Sequence, residues 1–258
     1  MLRNVHIVLV DTSHPGNIGA AARAMKNMGL ARLHLVRPAR FPSAEATARA
    51  SGADDLLVAA QCHETLTDAV ADCTLVLGVS ARVRSLPWPM LEARAAARRA
   101  VTAAGRGPVA LVFGREQSGL SNEELARCNF LVRIPADPVY SSLNLAAAVQ
   151  VLAYELRLAA ESGTEASPAT EDAPPAVAAD LERFYTHLEA VLVEIGFLEP
   201  ASPRHLMRRL RRLFSRARPD RNELAILRGI LSAVQARRIR PQVESGAGNG
   251  DGSMGSTP

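Results

Sequence analysis

LVFGREQSGLSNEEL, residues Leu111–Leu125, is the stretch whose reading decides the fold. It completes an apolar run, Val109–Phe113, of the length of a buried strand. The run breaks into Gly114-Arg115-Glu116-Gln117-Ser118-Gly119-Leu120, where two glycines let the backbone turn tightly or approach a ligand closely. A helix then starts: Ser121 is placed as N-cap and Glu124, three residues on, as its reciprocal partner. Strand, polar loop and capped helix put charged groups and unpaired amides at the C-terminal edge of a parallel sheet, where α/β folds bind ligands. The same segment also fits an ordinary strand-to-helix turn.

The rest of the chain repeats this alternation. Val5–Val10, Leu33–Val36, Leu75–Val79 and Phe130–Ile134 read as further strands, with a short one near Leu56–Ala59. Asn17–Met28, Ala44–Ser51, Glu64–Ala71, Met90–Ala103 and Leu143–Leu158 read as helices. The fold class is therefore α/β, a mostly parallel sheet with helices on both faces. Polar clusters follow Val10, Val79, Phe113 and Ile134, all strand C-termini, so four separate loops can converge on one site. Ser141, Ser142 and Asn144 open the last of these helices, and one of them is its cap. On Asn17–Met28, Gly16, Gly19, Ala20 and Arg23 share a face, a small-residue track ending in one guanidinium. It suits a close approach that meets Arg23, or a helix contact beside a solvated arginine. Arg82 and Arg84, just past a strand end, suit either a phosphate grip or a solvated loop. Trp88, between two prolines, reads as a packing anchor.

No apolar stretch in the 258 residues approaches the roughly 20 needed to span a bilayer, and no signal peptide is visible, so a soluble, cytoplasmic protein is expected. The three cysteines, Cys62, Cys73 and Cys128, lack metal or redox spacing, and buried thiols and no metal are expected. Net charge is +4, and Lys26 is the only lysine. Arginine gives planar, bidentate contacts to phosphate.

Residues 161–177 are acidic and rich in Pro, Ser and Ala, and read as a flexible linker. Beyond it, residues 178–240 read as a small all-α unit of three amphipathic helices, and 241–258 as a disordered Gly/Ser-rich tail. The second of these helices, begun by Ser202-Pro203, carries Arg208, Arg209, Arg211 and Arg212 outside its apolar stripe with no carboxylate on the helix to balance them. That face reads as a nucleic-acid contact.

Three segments together resemble the motifs of SPOUT-class RNA ribose 2′-O-methyltransferases: Ser13-His14-Pro15-Gly16-Asn17-Ile18-Gly19 with the helix carrying Arg23, then FGREQSGLSNEEL, then IPADPVYSSLNLAAAVQVLAYE. The likeness covers about the first 160 residues. The linker and C-terminal helices extend it to the type that methylates cytidine or uridine 32 of tRNA. Val79 departs from the pattern, which has Thr there. The resemblance implies a deep trefoil knot, which connection rules alone would reject. It also implies a homodimer, tRNA as partner, and S-adenosylmethionine held by Val79, Ser80, Ala81, Gly114, Ile134, Ser141, Ser142 and Leu143. Arg23, Ser142 and Asn17 become the catalytic candidates. Arg82, Arg84 and Arg115 become RNA contacts beside the C-terminal arginines, and Glu116 a partner of Arg115 or an organiser of its loop. Because arginine keeps its proton in proteins, Arg23 is read as stabilising charge or placing a phosphate.

Two other classes stand against this. A dinucleotide-dependent oxidoreductase wants a Gly-rich fingerprint after the first strand, which is absent. A non-catalytic RNA-binding protein on the same scaffold would be expected to lose Arg23 or the serines of the third segment, which are present. Within the enzyme reading, ribosomal RNA is the alternative substrate.

Overall fold

The computed structural model describes residues 1–81, 88–162, 173–201 and 205–239. Seven strands form one sheet: β1 Val5–Val10, β2 Arg32–Val36, β3 Gln61–His63, β4 Leu75–Val79, β5 Met90–Glu92, β6 Val109–Phe113 and β7 Phe130–Arg133. The helices are α1 Pro15–Asn27, α2 Ala44–Ala50, α3 Asp54–Val58, α4 Leu66–Ala69, α5 Ala93–Ala104, α6 Asn122–Leu125, α7 Leu145–Glu161, α8 Ala178–Glu194, α9 Leu206–Ala217 and α10 Arg221–Ile239. The strand order is β3-β2-β1-β6-β4-β7-β5, and every pairing is parallel. Later strands are laid between earlier ones: β6 separates β1 from β4, and β7 separates β4 from β5.

The strands are apolar on both sides because both sides are covered. Ile7, Leu9, Leu35, Leu77 and Leu111 face a core built with α1, α5 and α7. Their neighbours in the alternation, Val8, Val10, Val76 and Val112, face a second core with α4 and α6. Since all strands run the same way, their C-terminal loops share one edge of the sheet.

Three local readings are corrected. Residues 54–58 are helical, and the expected short strand lies later, at Gln61–His63. Asp54 and Asp55 occupy the first turn of α3 and Leu56 and Leu57 are both buried, so this short apolar run packs as a helix. Met90–Glu92 is an edge strand paired with β7, and the helix expected from Met90 starts at Ala93. Cys62 is exposed, while Cys73 and Cys128 are buried. Trp88 does anchor packing, its Nε1 donating to the Cys128 carbonyl at 3.0 Å.

The small-residue track of α1 is filled by α2. A Cβ on Gly19 would stand 2.0 Å from the Ala46 carbonyl oxygen, so this face meets the same chain's own backbone. The helix-contact reading wins there.

Three histidines that the strand pattern conceals stack across β1, β2 and β3. His6 and His34 lie 4.6 Å apart between ring centroids, and His34 and His63 lie 5.1 Å apart. Burial, then the neighbouring rings of His6 and His63, push His34 down to about 4. An unfolded chain takes up that proton near 6.5, so the unfolded state gains protons first as pH falls. Stability is expected to drop by up to about 3 kcal/mol between about pH 6.5 and pH 4 through this residue. Urea melts across that range check it, with His34→Phe expected to flatten the slope.

The last three helices share their own core, with Phe184, Tyr185, Val191, Leu224 and Leu231 buried. Asp220 and Glu223 cap α10 reciprocally, as their spacing requires. The amides of Ala178 and Ala179 donate to the carbonyls of Cys73 and Ala71, tying the start of α8 to the connection between α4 and β4. No described helix is long and apolar enough to cross a membrane. Most of the expected linker, the Ser202-Pro203 helix start and the C-terminal tail lie outside the described residues.

Candidate active site

A cleft of 240 Å³ opens where β4, β6 and β7 end and α7 begins. Val79, Ser80 and Ala81 line it from the end of β4, Gly114 from the end of β6, Ile134 from β7, and Ser141, Ser142 and Leu143 from the approach to α7. All eight residues assigned by resemblance to the methyl donor therefore face one space. Phe113, Leu145 and Ala148 add apolar wall, and Gln117 and Glu116 add polar rim. With Ser80, Arg115, Ser141 and Ser142 also in its lining, the cleft mixes apolar wall and polar groups, which suits a small ligand carrying both apolar and charged parts.

The loop after β6 is folded back on itself. Arg115 N–H donates to the Gly119 carbonyl at 3.3 Å, and Gly119 N–H to the Arg115 carbonyl at 2.9 Å. A Cβ on Gly114 would sit 2.2 Å from the Gly119 carbonyl carbon and 2.3 Å from the Leu120 nitrogen. Only glycine closes this loop. The capping box expected downstream is present, with Ser121 and Glu124 bonding each other's backbone amides. The helix it starts, α6, is one turn long.

Glu116 does not pair with Arg115. Its carboxylate accepts from the Ser13 amide at 3.1 Å, the Ser13 hydroxyl at 3.0 Å, the His14 amide at 3.2 Å and Asn17 Nδ2 at 2.9 Å. Burial opposes its charge, but these donors outweigh burial and hold the carboxyl down at about 2. Asn17 passes the link on: its Oδ1 accepts from Asn144 Nδ2 at 3.0 Å. Asn144 Oδ1 in turn caps α7 through the Ala146 and Ala147 amides. One polar chain, Glu116–Asn17–Asn144, thus ties together three loops from three parts of the sequence. Asn17 holds loops here and does not line the cleft. Asn144 is the cap, which leaves Ser141 and Ser142 to the cleft.

Arg115, expected on RNA, is tied up inside the protein. It forks onto Glu124 at 3.0 Å through both terminal nitrogens and also donates to Asp11. Asp11 takes Arg37 as well, at 2.9 and 3.0 Å. Two arginines and two carboxylates thus brace the ends of β1, β2 and β6, which makes Arg115 a loop-ordering group.

Arg23 is exposed on α1 and is not among the residues lining the cleft. Arg82 and Arg84 lie outside the described residues. On α9, Arg211 is committed: it forks onto Glu182 at 2.5 and 2.9 Å and lies over the Tyr185 ring at 4.3 Å. The balancing carboxylate comes from the neighbouring helix, which reading α9 alone could not supply. Arg208, Arg209 and Arg212 remain on the helix's other positions, with Arg209 exposed.

A model of the SpoU rRNA Methylase family matches residues 4–154, and one of the C-terminal domain of tRNA methyltransferase TrmJ matches residues 179–244. The chain is 54% identical over 236 residues to the tRNA (cytidine/uridine-2′-O-)-methyltransferase TrmJ of Pectobacterium atrosepticum, covering 91% of this chain and 98% of that protein. The protein of the same name from Cronobacter sakazakii is 52% identical over 241 residues, covering 92% and 98%. The crystal structure of TrmJ from Z. mobilis ZM4 superposes with a TM-score of 0.78 at 35% identity, covering 89% of this chain and 98% of that one. A probable methylase family protein from Haemophilus influenzae Rd KW20 gives 0.61 at 43% identity, covering 93% and 99%.

Proposed function

This chain belongs to the SpoU methylase family and, within it, to the TrmJ tRNA (cytidine/uridine-2′-O-)-methyltransferases, and on that premise we propose that it transfers a methyl group from S-adenosylmethionine to a ribose 2′-hydroxyl of tRNA, at pyrimidine 32 of the anticodon loop. One observation carries the reading: loops from three strand ends and a helix start, far apart in sequence, form one cleft lined by both apolar side chains and serines. The likeness of residues 179–244 to the C-terminal domain of a tRNA methyltransferase favours tRNA over ribosomal RNA.

S-adenosylmethionine, when bound, supplies a methyl already activated by its sulfonium. The protein's work is then alignment and charge stabilisation. Val79, Phe113, Ile134 and Leu143, which line the cleft, would hold the donor, and the Glu116–Asn17–Asn144 chain fixes the loops around that space. Ser142, exposed at the rim, orients the 2′-hydroxyl. Arg23 stabilises the alkoxide character that grows at the 2′-oxygen and places a substrate phosphate that accepts the hydroxyl proton, while the C–S bond to the sulfonium breaks to leave the neutral thioether. The reading includes the homodimer that the family likeness implies, with α1 of one protomer completing the site of the other; that Arg23 is not among the residues lining its own protomer's cleft supports this. The same reading includes a trefoil knot formed where the chain passes from β7 into α7, a methyltransferase unit of residues 1–160, and a C-terminal RNA-binding unit of residues 178–240. A cytoplasmic location follows from the substrate.

Incubation with labelled S-adenosylmethionine and bulk tRNA, then nuclease digestion and mass spectrometry, tests this. A 2′-O-methylated pyrimidine at position 32 is expected. Label on ribosomal RNA and none on tRNA would overturn the substrate, and label on neither would overturn the activity.

A further inference from the structure

The C-terminal unit holds an aromatic ring out in solvent. Phe197 is 68% exposed, whereas the unit's other aromatic rings, Phe184, Tyr185 and Phe214, are packed into its core. The exposure is built in. α8 ends in a Schellman motif: Gly196 N–H donates to the Val193 carbonyl at 3.0 Å, and Phe197 N–H to the Leu192 carbonyl at 2.9 Å. Gly196 takes a φ of 75°, and Leu198, next in the chain, is buried. The residue in Phe197's place usually folds its side chain back onto the helix. Here the backbone is pinned on both sides while the ring stays uncovered.

The surroundings are basic. Tyr185 and Glu182 of α8 meet Arg211, and just beyond the C-terminal end of α9 the Pro219 carbonyl accepts from the Ala176 amide just before α8 starts, so α9 runs antiparallel to α8 and begins toward the end where Phe197 stands. Gln235 bonds Glu194 at 2.8 Å and brings the C-terminal half of α10 to that end. His205, Arg208 and Arg209 start α9, and Arg237 lies near the end of α10. Two carboxylates are also there, with Glu194 engaged by Gln235 and Glu199 accepting the Ala201 amide. A pinned, exposed aromatic ring among arginines is the pattern that binds single-stranded nucleic acid: the ring stacks on a base and the guanidiniums take the flanking phosphates.

We propose that Phe197 is a stacking platform for an unpaired base of the RNA substrate, with Arg208 and Arg209 on the adjacent backbone; this rests on the reading that the substrate is tRNA. Phe197 is a positioning residue, about binding and not about methyl transfer. Val193 and Ile195 beside it are also exposed, so the competing occupant is a protein surface.

The test measures affinity for a fluorescein-labelled anticodon stem-loop RNA, independently of methylation, together with KM and kcat on whole tRNA. Phe197→Ala is expected to weaken RNA binding and raise KM by about tenfold, with a smaller change in kcat. Phe197→Trp is expected to restore both, and Phe197→Leu is not. Unchanged RNA affinity in Phe197→Ala would overturn the proposal. So would full restoration by leucine, which keeps apolar area without a π face. A change of molecular mass in light scattering for Phe197→Ala would assign the ring to a protein contact instead. If the wild type binds the stem-loop through Phe197 but methylates no tRNA, the functional reading fails while the stacking site stands.

Discussion

Replacing Arg23 by alanine is expected to lower methyl transfer to tRNA by at least about a hundredfold, the loss typical of removing one aimed charge-stabilising donor. The loss falls on turnover, because the guanidinium meets charge that develops only as the 2′-oxygen attacks. Binding of S-adenosylmethionine by calorimetry is expected to stay near the wild-type value, since Arg23 does not line the cleft. Stability should also hold, as the side chain is exposed on α1. Single-turnover methylation near the wild-type rate would remove Arg23 from the chemistry.

Gly114→Ala is expected to do the reverse, weakening donor binding at its source. The added methyl would meet the backbone of Gly119 and Leu120 at 2.2 and 2.3 Å, and backbone has no rotamer to yield. The loop must open, and with it go the wall of the cleft and the position of Glu116. Overpacking of this kind costs about 1–3 kcal/mol, so affinity for S-adenosylmethionine in calorimetry should fall by up to roughly a hundredfold. Gly119 is the informative control: it has a φ of 69° and nothing within 4 Å of its would-be Cβ, so alanine there strains the backbone without a collision.

The two variants together test the dimer. Each alone is strongly impaired at sub-saturating donor, one for want of Arg23 and the other for want of a well-formed cleft. If sites are completed across the pair, mixed dimers contain one intact site, and an equal mixture recovers roughly a quarter of wild-type activity by statistical pairing. No recovery after subunit exchange would place Arg23 and the cleft in the same chain.

Much of this architecture can be read locally. The apolar runs of β1, β4 and β6, the Ser121–Glu124 cap and the Asp220–Glu223 cap depend on residues two to four positions apart, and each formed as its spacing requires. Parallel strands then force their following loops to one edge, and the eight residues that the family resemblance assigned to the donor, from the connections after β4, β6 and β7, line one cleft there. Short segments were less legible. Asp54–Val58 and Met90–Glu92 have too few residues for a period to show, and their packing neighbours decided between helix and strand.

What the chain alone determined is the set of elements, the edge on which polar loops gather, and the chemical character of those loops. The tertiary structure alone decided which charges meet. Glu116 turned from its neighbour Arg115 to Ser13, His14 and Asn17, about a hundred positions away, while Arg115 took Asp11 and Glu124. The physical reason is the order of the strands. β6 lies beside β1, so the loop after one is held against the loop after the other. Sequence spacing encodes contacts along a helix or strand, but contacts across the sheet edge exist only once the crossings are made.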